Sequence, residues 1–544
     1  MAQTAAELRD RGEVIWKESC ADCHGELGEG VEGAFERPLI GDDSVGQLTK
    51  LIDRTMPEGS PEDCVGVAAQ AVSEYLHHRF YSEAARVRNR PPREMLSRLT
   101  AKQLQQSLAD LYANFTRKQL TAADVTHGLR GRYYGDARYR DEKLKRIEPA
   151  LDFDFGRESP VEGLDAKEFS IRWDGGLLVN ETGRYEIVVH STCAFMFYLG
   201  ADDREFINNY VQSGDKTDFR RTIKLTAGRI YPLEIEFRQN KRKTELPPAE
   251  FTLSWVPPNE TERVIPTSHL VAESPAAGFS LQASLPPDDQ SYGFERGIAV
   301  DKDWDSSVTA AAIEFAKIAN DELWPVYQRQ NRKKASGRKL LANFLIELIQ
   351  VAFRRSLSAE EENRYVHHQI KVEPDDAEAI KRVCLLSLKS PWFLYPTLDI
   401  GLEESQEIAN RMALTMFDSL PIGEAKLGRS KFSDERAVRR FVEANTDDYR
   451  FRAKTLDFIH GWLNLNHFGS ITKSEDSFAD FSPELVSDLR LSLNHFVEHV
   501  LWSEKSDYRE LFLADYGFTT KEIAHFTESR GRLKQNLDLM LLRP

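Results

Sequence analysis

The spacing of apolar positions changes period twice along the chain. Ala5 to Ser19 holds no proline, and Leu8, Ile15 and Trp16 fall near one helical face. Val65 to Arg79 repeats the pattern with Val65, Ala68, Val72, Tyr75, Leu76 and Arg79. Residues 93–118 read as a short helical unit with Leu96, Leu99, Leu104, Leu108 and Leu111 on one face, too short to bury a core alone. At His127 the period drops to two. Phe169–Trp173, Tyr185–Val189, Phe195–Leu199 and Tyr231–Phe237 alternate, and Thr182-Gly183-Arg184 and Ala227-Gly228-Arg229 are turns between such segments, so a β-sandwich is expected up to about Val271. No period follows, and Pro275, Pro286 and Pro287 mark a linker. From Ser307 onward the chain reads as helical. Leu340, Leu341, Phe344, Leu345, Leu348, Ile349, Ala352 and Phe353 make one amphipathic face. Ser358 with Glu361 is a capping-box start, and Ser482-Pro483-Glu484 is another helix start. The predicted fold is multidomain: an all-α domain, then an all-β sandwich, then an all-α helical region. Its divisions are 1–86, a short helical connector at 87–126, the sandwich at 127–272, a linker at 273–306, and helical modules at 307–400 and 401–544.

Chemistry enters at Cys20-Ala21-Asp22-Cys23-His24. Two thiols two residues apart, with an imidazole directly after the second, are what covalent haem attachment requires. Each thiol adds to one haem vinyl group, and the histidine then lies under the iron as proximal ligand. A thioredoxin-like redox pair should open a helix after a strand, whereas a helical pattern precedes this motif. Half of a zinc site needs a second ligand pair at suitable spacing, and none follows. A loop spaced by Gly25, Gly28, Gly30 and Gly33 comes next. The sixth iron ligand needs a loop between the two helical stretches, and Thr55-Met56-Pro57-Glu58-Gly59 supplies it. Pro57 biases Met56 toward an extended backbone that can project its thioether inward, and no other methionine lies between the motif and residue 86. The rival ligands His77 and His78 sit among polar neighbours. One covalent haem c is therefore expected, with Cys20, Cys23, His24 and Met56 binding it and His24 and Met56 as the iron's metal ligands.

Charge and composition then narrow the class. Among 544 residues, Lys plus Arg at 72 against Asp plus Glu at 87 gives 72 − 87 = −15, an acidic balance that disfavours nucleic acid as a partner. No stretch approaches the ~18 consecutive apolar residues of a transmembrane segment. Met1-Ala2-Gln3-Thr4-Ala5 has neither a basic end nor an apolar run, so no secretory signal is visible. Since haem is ligated to such motifs outside the bacterial cytoplasmic membrane, the expectation is an exported, periplasmic or cell-surface protein whose numbering starts near its mature N-terminus. Cys64, Cys193 and Cys384 lie in separate segments and form no disulfide framework; at least one is expected to be a buried thiol.

Several stretches carry resemblances. The two helical stretches around the haem motif resemble the crossed N- and C-terminal helices of small, class I cytochromes c, in which a glycine on one helix admits an aromatic from the other. Gly12 and Tyr75 would fill those roles. Met-Pro also stands at the distal ligand in that family. Gly128-Leu129-Arg130-Gly131-Arg132-Tyr133-Tyr134, Phe169 to Gly175, Glu181-Thr182-Gly183-Arg184-Tyr185, Ala227 to Pro232, Leu253-Ser254-Trp255 and Val264-Ile265-Pro266 resemble the anthrax-protective-antigen-type domain. That resemblance implies a β-sandwich that often binds carbohydrate. In its sugar-binding adhesins an adjacent Asp pair before a central strand holds calcium. Here that place reads Ser191-Thr192-Cys193, and Asp202-Asp203 comes after the strand, so calcium is not expected there. Leu386 to Tyr395, Ala409 to Leu414 with Asp418-Ser419-Leu420-Pro421, and Trp502-Ser503-Glu504 with Leu513 to Tyr516 resemble the uncharacterised helical modules of planctomycete-type cytochromes c. The connector from Phe80 to Arg90 matches as well. The order of modules suits that family, whose members usually continue beyond the place where this chain stops.

Two functional readings follow. In the first, the chain is a monohaem cytochrome that exchanges single electrons with a redox partner protein, while the sandwich holds a polysaccharide at the cell envelope. In the second, the helical half oxidises or degrades polysaccharide and the cytochrome drains the electrons, which requires a pocket within 307–544 lined by convergent acids or histidines. No catalytic residues can be named from the sequence. His495-Phe496-Val497-Glu498-His499 has the spacing of an inverted zinc protease, but a partly exposed helical face explains it. His367-His368 reads as a solvated pair, and Glu360 to Glu362 and Asp375-Asp376 as acids at helix starts.

Overall fold

The computed structural model describes residues 4–526 except 32, 89–95, 117–118, 201–203, 212–214, 241–246, 334, 399–401, 422–431, 433, 466–470, 472, 475–477, 479–480 and 521–522, together with 538–541. The chain divides into two units, Met1–Met95 and Leu96–Pro544. Asp202-Asp203 and most of the basic connector before Pro92 lie outside the described residues.

The first unit is helical. Helix α1 (Ala5–Ser19) starts on a capping box between Thr4 and Glu7 and buries Leu8, Gly12 and Trp16. Helix α2 (Val45–Thr55) is capped in the same way by Ser44 and Gln47 and buries Leu48 and Ile52. Helix α3 (Val67–Leu76) crosses α1 where Gly12 meets Ala71: a Cβ on Gly12 would stand 2.0 Å from the Ala71 carbonyl oxygen and 2.9 Å from Cβ of Tyr75. The expected face of the second helix shifts. Val65 precedes the helix and is exposed, and the buried positions are Ala69, Ala71, Val72, Ser73 and Leu76. The small side chains at 69 and 71 are what allow the close crossing.

The second unit contains the sandwich. Its strands are β1 (Leu129–Tyr134), β2 (Glu142–Glu148), β3 (Asp152–Gly156), β4 (Phe169–Val179), β5 (Gly183–Ser191), β6 (Ala194–Leu199), β7 (Glu205–Asn209), β8 (Asp218–Leu225), β9 (Arg229–Gln239), β10 (Ala249–Val256), β11 (Arg263–Val264) and β12 (Leu270–Val271). One sheet runs β2-β1-β4-β9-β6-β7 with β12 beside β4, and the other runs β11-β10-β5-β8 with β3 beside β10. Every pairing among these strands is antiparallel. Alternation along β5 and β10 sends Tyr185, Ile187, Val189, Phe251, Leu253 and Trp255 into the core between the sheets. All four alternating segments expected from the sequence are strands.

The rest of the second unit is mainly helical. Helix α4 (Ala101–Ala113) lies in the connector; Leu96 falls outside it and is exposed, while Leu104, Leu108 and Leu111 are buried. Their partners are α5 (Lys302–Ile318), α6 (Gly337–Ala352) and α7 (Asp376–Leu388), all in one apolar core. The segment 273–306, expected as a linker, also contributes: Phe279 and Leu281 enter that core. Asp288 meets Arg98 at 2.7 Å with both side chains almost fully buried, and Arg98 lies 3.6 Å from the Trp304 ring centroid. The helical region begins at Lys302 rather than Ser307, because Asp301 caps the helix through the Trp304 amide. Helices α8 (Glu404–Phe417), α9 (Tyr449–Trp462) and α10 (Pro483–Leu501) follow, and Ser482 caps α10 as expected. A departure from the helical expectation is a parallel strand pair, Tyr516–Thr519 with Asp538–Leu541. Among the described residues no helix is long and apolar enough to cross a membrane.

Candidate functional site

In the first unit, Cys20 caps the end of α1, and Ala21–His24 forms one further helical turn. The backbone folds back on itself there: the amides of Cys23 and His24 both donate to the Cys20 carbonyl. This puts both thiols and the imidazole on a single turn. The His24 ring lies 5.9 Å from the Trp16 ring, stacked, and 4.6 Å from the Phe35 ring. Trp16 is itself fixed, since its Nε1 donates to the Glu26 carbonyl at 3.3 Å. Gly28, at φ 72°, lets the loop lie against Phe80, whose ring atoms a Cβ would meet at 2.9 Å.

Met56 follows α2 with φ −129° and ψ 139°, the extended geometry that Pro57 favours. Its side chain packs on the cluster of Trp16, Leu48, Ile52 and Cys64, against which Cys20 also packs. His77 and His78 lie past the end of α3, half-buried and exposed respectively. The donor set fits a covalent haem. Nδ1 of His24 is buried without a hydrogen-bond partner, and burial draws the imidazole below its ordinary value, keeping it in the neutral form that binds metal. Burial, with Cys64 and Cys23 adding to it, pushes the Cys20 thiol up to about 11. Cys64, Cys193 and Cys384 are all buried. Phe35, tilted against the His24 ring, is a contact that no sequence period announced.

At the sandwich position where adhesins place their acids, Thr192 and Cys193 are buried. Thr192 Oγ1 donates to the Pro248 carbonyl at 2.6 Å and accepts from the Glu250 amide at 2.9 Å. Cys193 Sγ lies 3.5 Å from Gln239 Oε1. Side chains facing inward in this way close the β5–β6 corner.

A second polar assembly lies within the larger unit, where the sandwich meets α9 and α10. A cavity of about 160 Å3, partly open to solvent, is lined by the β4–β5 turn, by Trp255 to His269, and by both helices. Arg490 Nη2 donates to Glu181 Oε2 at 2.6 Å. Asn180 Nδ2 donates to Glu498 Oε1 at 3.4 Å, and His495 Nδ1 stands 4.0 Å from Glu498 Oε2. His495 and Glu498 therefore face this cavity, while His499 packs edge-on against Tyr516 and Phe518. Glu510 accepts from the Tyr516 hydroxyl. Among the described residues no group of three or more His, Cys, Asp or Glu is placed to hold a metal ion. Sequence reasoning missed this site because its parts come from stretches hundreds of residues apart. The spacing of His495 and Glu498 was its one local signal.

Three family models match separate parts of the chain. "Cytochrome C oxidase, cbb3-type, subunit III" covers residues 7–76, "PA14 domain" covers 126–269 and "Protein of unknown function (DUF1592)" covers 404–528. The chain is thus multidomain, with an N-terminal cytochrome region, a PA14 sandwich and a helical C-terminal part, and a cytochrome domain of this type implies covalently bound haem c. The curated protein "Anti-sigma-I factor RsgI3" of Acetivibrio thermocellus is 28% identical over 147 residues, 27% of this chain and 22% of that one. An "anti-sigma factor domain-containing protein" of solved structure is 27% identical with a TM-score of 0.25, over 28% of this chain and 49% of its own. The "PA14 sugar-binding domain from RTX adhesin" is 13% identical with a TM-score of 0.21, over 27% of this chain and 99% of its own. The chain spans about a fifth to a half of the length of the first two of these relatives.

Proposed function

We propose that this protein is an exported monohaem cytochrome c of the planctomycete type, which passes single electrons to or from a partner protein while its sandwich holds a polysaccharide at the cell envelope. The observation that carries the haem assignment is the turn Ala21–His24, which sets two thiols beside an imidazole whose buried Nδ1 has no protein partner. Cys20 and Cys23 would anchor the haem and His24 and Met56 would ligate its iron, and the group would supply one-electron exchange there. Trp16 and Phe35 fix the plane of the His24 ring. The PA14 fold of residues 126–269 supports the carbohydrate part of the reading.

The test is to replace Cys20 and Cys23 together by Ala in a host that matures c-type haem. Acid-acetone extraction should then strip all haem from the double variant and none from the parent. Haem that survives extraction in the variant would overturn the assignment. The second reading, a haem-linked enzyme acting on polysaccharide, calls for a pocket within 307–544; the cavity beside α9 and α10 gathers Asp457, His460, His495 and Glu498 from that half, but the sandwich supplies much of its wall.

A further inference from the structure

We infer that the cavity between the sandwich and helices α9 and α10 is a binding site for one ring of a neutral saccharide, separate from the β5–β6 corner at which adhesins of the sandwich type bind sugar. The inference goes beyond electron transfer and does not depend on it.

Size sets the first limit. An apolar cavity of about 150 Å3 accommodates benzene, so a space of about 160 Å3 takes a single six-membered ring. Chemistry sets the second. Three residues on its wall carry buried polar atoms with no hydrogen-bond partner: Nε1 of Trp255, Nε and Nη1 of Arg263, and Oγ of Ser268. Such groups cost free energy unless something supplies acceptors. Trp255 is only 2% exposed, so bulk water does not reach it freely. The ligand must therefore bring several acceptor oxygens within the span of one small molecule.

Charge sets the third limit. Each of the five cations on the wall already has a carboxylate: Lys102 with Asp457 at 3.0 Å, Arg450 with Asp110 at 2.7 Å, Lys454 with Asp418 at 2.6 Å, Arg490 with Glu181 at 2.6 Å, and Arg263 with Glu260. None is left to demand an anion, which favours a neutral ligand over a phosphate or a carboxylate. The wall also offers acceptors in Glu181 and Glu498. They keep 39% and 36% of their side-chain surface accessible because they border open space. Burial pushes Glu498 up to about 7 although Arg452 pulls it down, so near neutrality its carboxyl can donate as well as accept, while Glu181 stays paired with Arg490. Finally, the Tyr185 and Trp255 rings, with centroids 5.2 Å apart, border this space from the sandwich core. Donors and acceptors around a ring-sized, charge-balanced space are the complement of a polyol ring.

The test uses the full-length holoprotein and titrates it calorimetrically with glucose, galactose and N-acetylglucosamine. One of the three should bind. Trp255→Phe, which keeps the ring and removes the N–H, should weaken binding roughly three- to tenfold, as loss of one hydrogen bond does. Ser268→Ala should act in the same direction, while Thr192→Ser at the β5–β6 corner should leave the affinity unchanged. Circular dichroism and the haem spectrum check that each variant is folded; if Trp255→Phe is not, Ser268→Ala and Asn180→Ala decide. Binding that survives every folded cavity variant places the sugar elsewhere and overturns the inference. So does the absence of binding by all three sugars at millimolar concentration, which leaves the cavity to water. In both cases the covalent haem, read by extraction, stands or falls separately.

Discussion

Met56 illustrates how a single residue's environment is set by its neighbour in sequence. Pro57 removes the helical option, α2 ends, and the thioether is left facing the cluster that holds Cys20. Replacing Met56 by Ala should abolish the weak red charge-transfer band of thioether-ligated ferric haem, lower the reduction potential, and open the iron to carbon monoxide when reduced. The same change at His77 or His78 should do none of these. Absorption spectra with and without carbon monoxide check it; a parent protein that already binds the gas would mean that the iron has an open site. Glu498 carries a second residue-scale prediction. Burial raises its carboxyl from 4.5 to about 7, so the folded state holds a proton that the unfolded chain has lost between those values. Stability from this group is therefore full below about pH 4.5 and falls as pH rises toward 7. Glu498→Gln removes that dependence, so the variant should gain in melting temperature relative to the parent between pH 5 and 7.5. The comparison must be a difference between the two proteins. Glu181 behaves like Glu498, whereas His269, pulled down by burial to about 4, acts in the opposite sense below 6.5.

At the scale of elements, the haem-bearing unit rests on one helix crossing. Gly12 was legible as a small residue four positions before Trp16, and the cytochrome resemblance paired it with Tyr75, whose Cβ a Cβ at position 12 would meet at 2.9 Å. The structure adds the Ala71 carbonyl, a backbone atom that cannot swing aside. Gly12→Val should push α1 and α3 apart and destabilise this unit by about 1–3 kcal/mol, the usual cost of overpacking. Urea unfolding followed by the haem absorbance reads this directly, and an unchanged midpoint would show that the helices adjust. The strands fared well for a reason of the same kind. Alternation in β4, β5, β6 and β9 is imposed by two sheets sharing one core, so it is written locally. The start of α3 was misplaced because Val65 and Val67, apolar in sequence, are exposed, whereas Ala69 and Ala71 make the contact.

At the scale of the molecule, the pieces of the larger unit are joined by a buried ionic cluster. Asp110 on α4, fully buried, meets Arg229 of β9 at 2.5 Å and Arg450 of α9 at 2.7 Å. Burial alone would raise the Asp110 carboxyl, but the two guanidiniums hold it below the usual carboxylate range. Asp110→Ala would leave Arg229 without a carboxylate in a buried place, while Arg450 keeps Asp448, and should cost about 3–5 kcal/mol. Denaturant unfolding followed by tryptophan fluorescence should show it, along with loss of the cooperative link between sandwich and helices. Near this cluster Gly228 comes so close to the α9 backbone that a Cβ would stand 2.4 Å from Cα of Arg450. Tyr449 packs with Leu178, Ile230 and Val271 on the outer face of the sandwich.

The sequence by itself determined what is encoded within one turn or one strand. The haem motif, the Met-Pro loop, the capped helix starts at Ser358 and Ser482, and the two-residue alternation of the sandwich all depend on neighbours a few positions apart. Only the tertiary structure decided what depends on distant partners. Residues 273–306 have no period because irregular backbone needs none to bury Phe279 and Leu281 or to bring Asp288 to Arg98. The cavity of Trp255, Arg263, Arg490 and Glu498 has no sequence motif, since its residues share no element and converge only when the sandwich docks on α9 and α10.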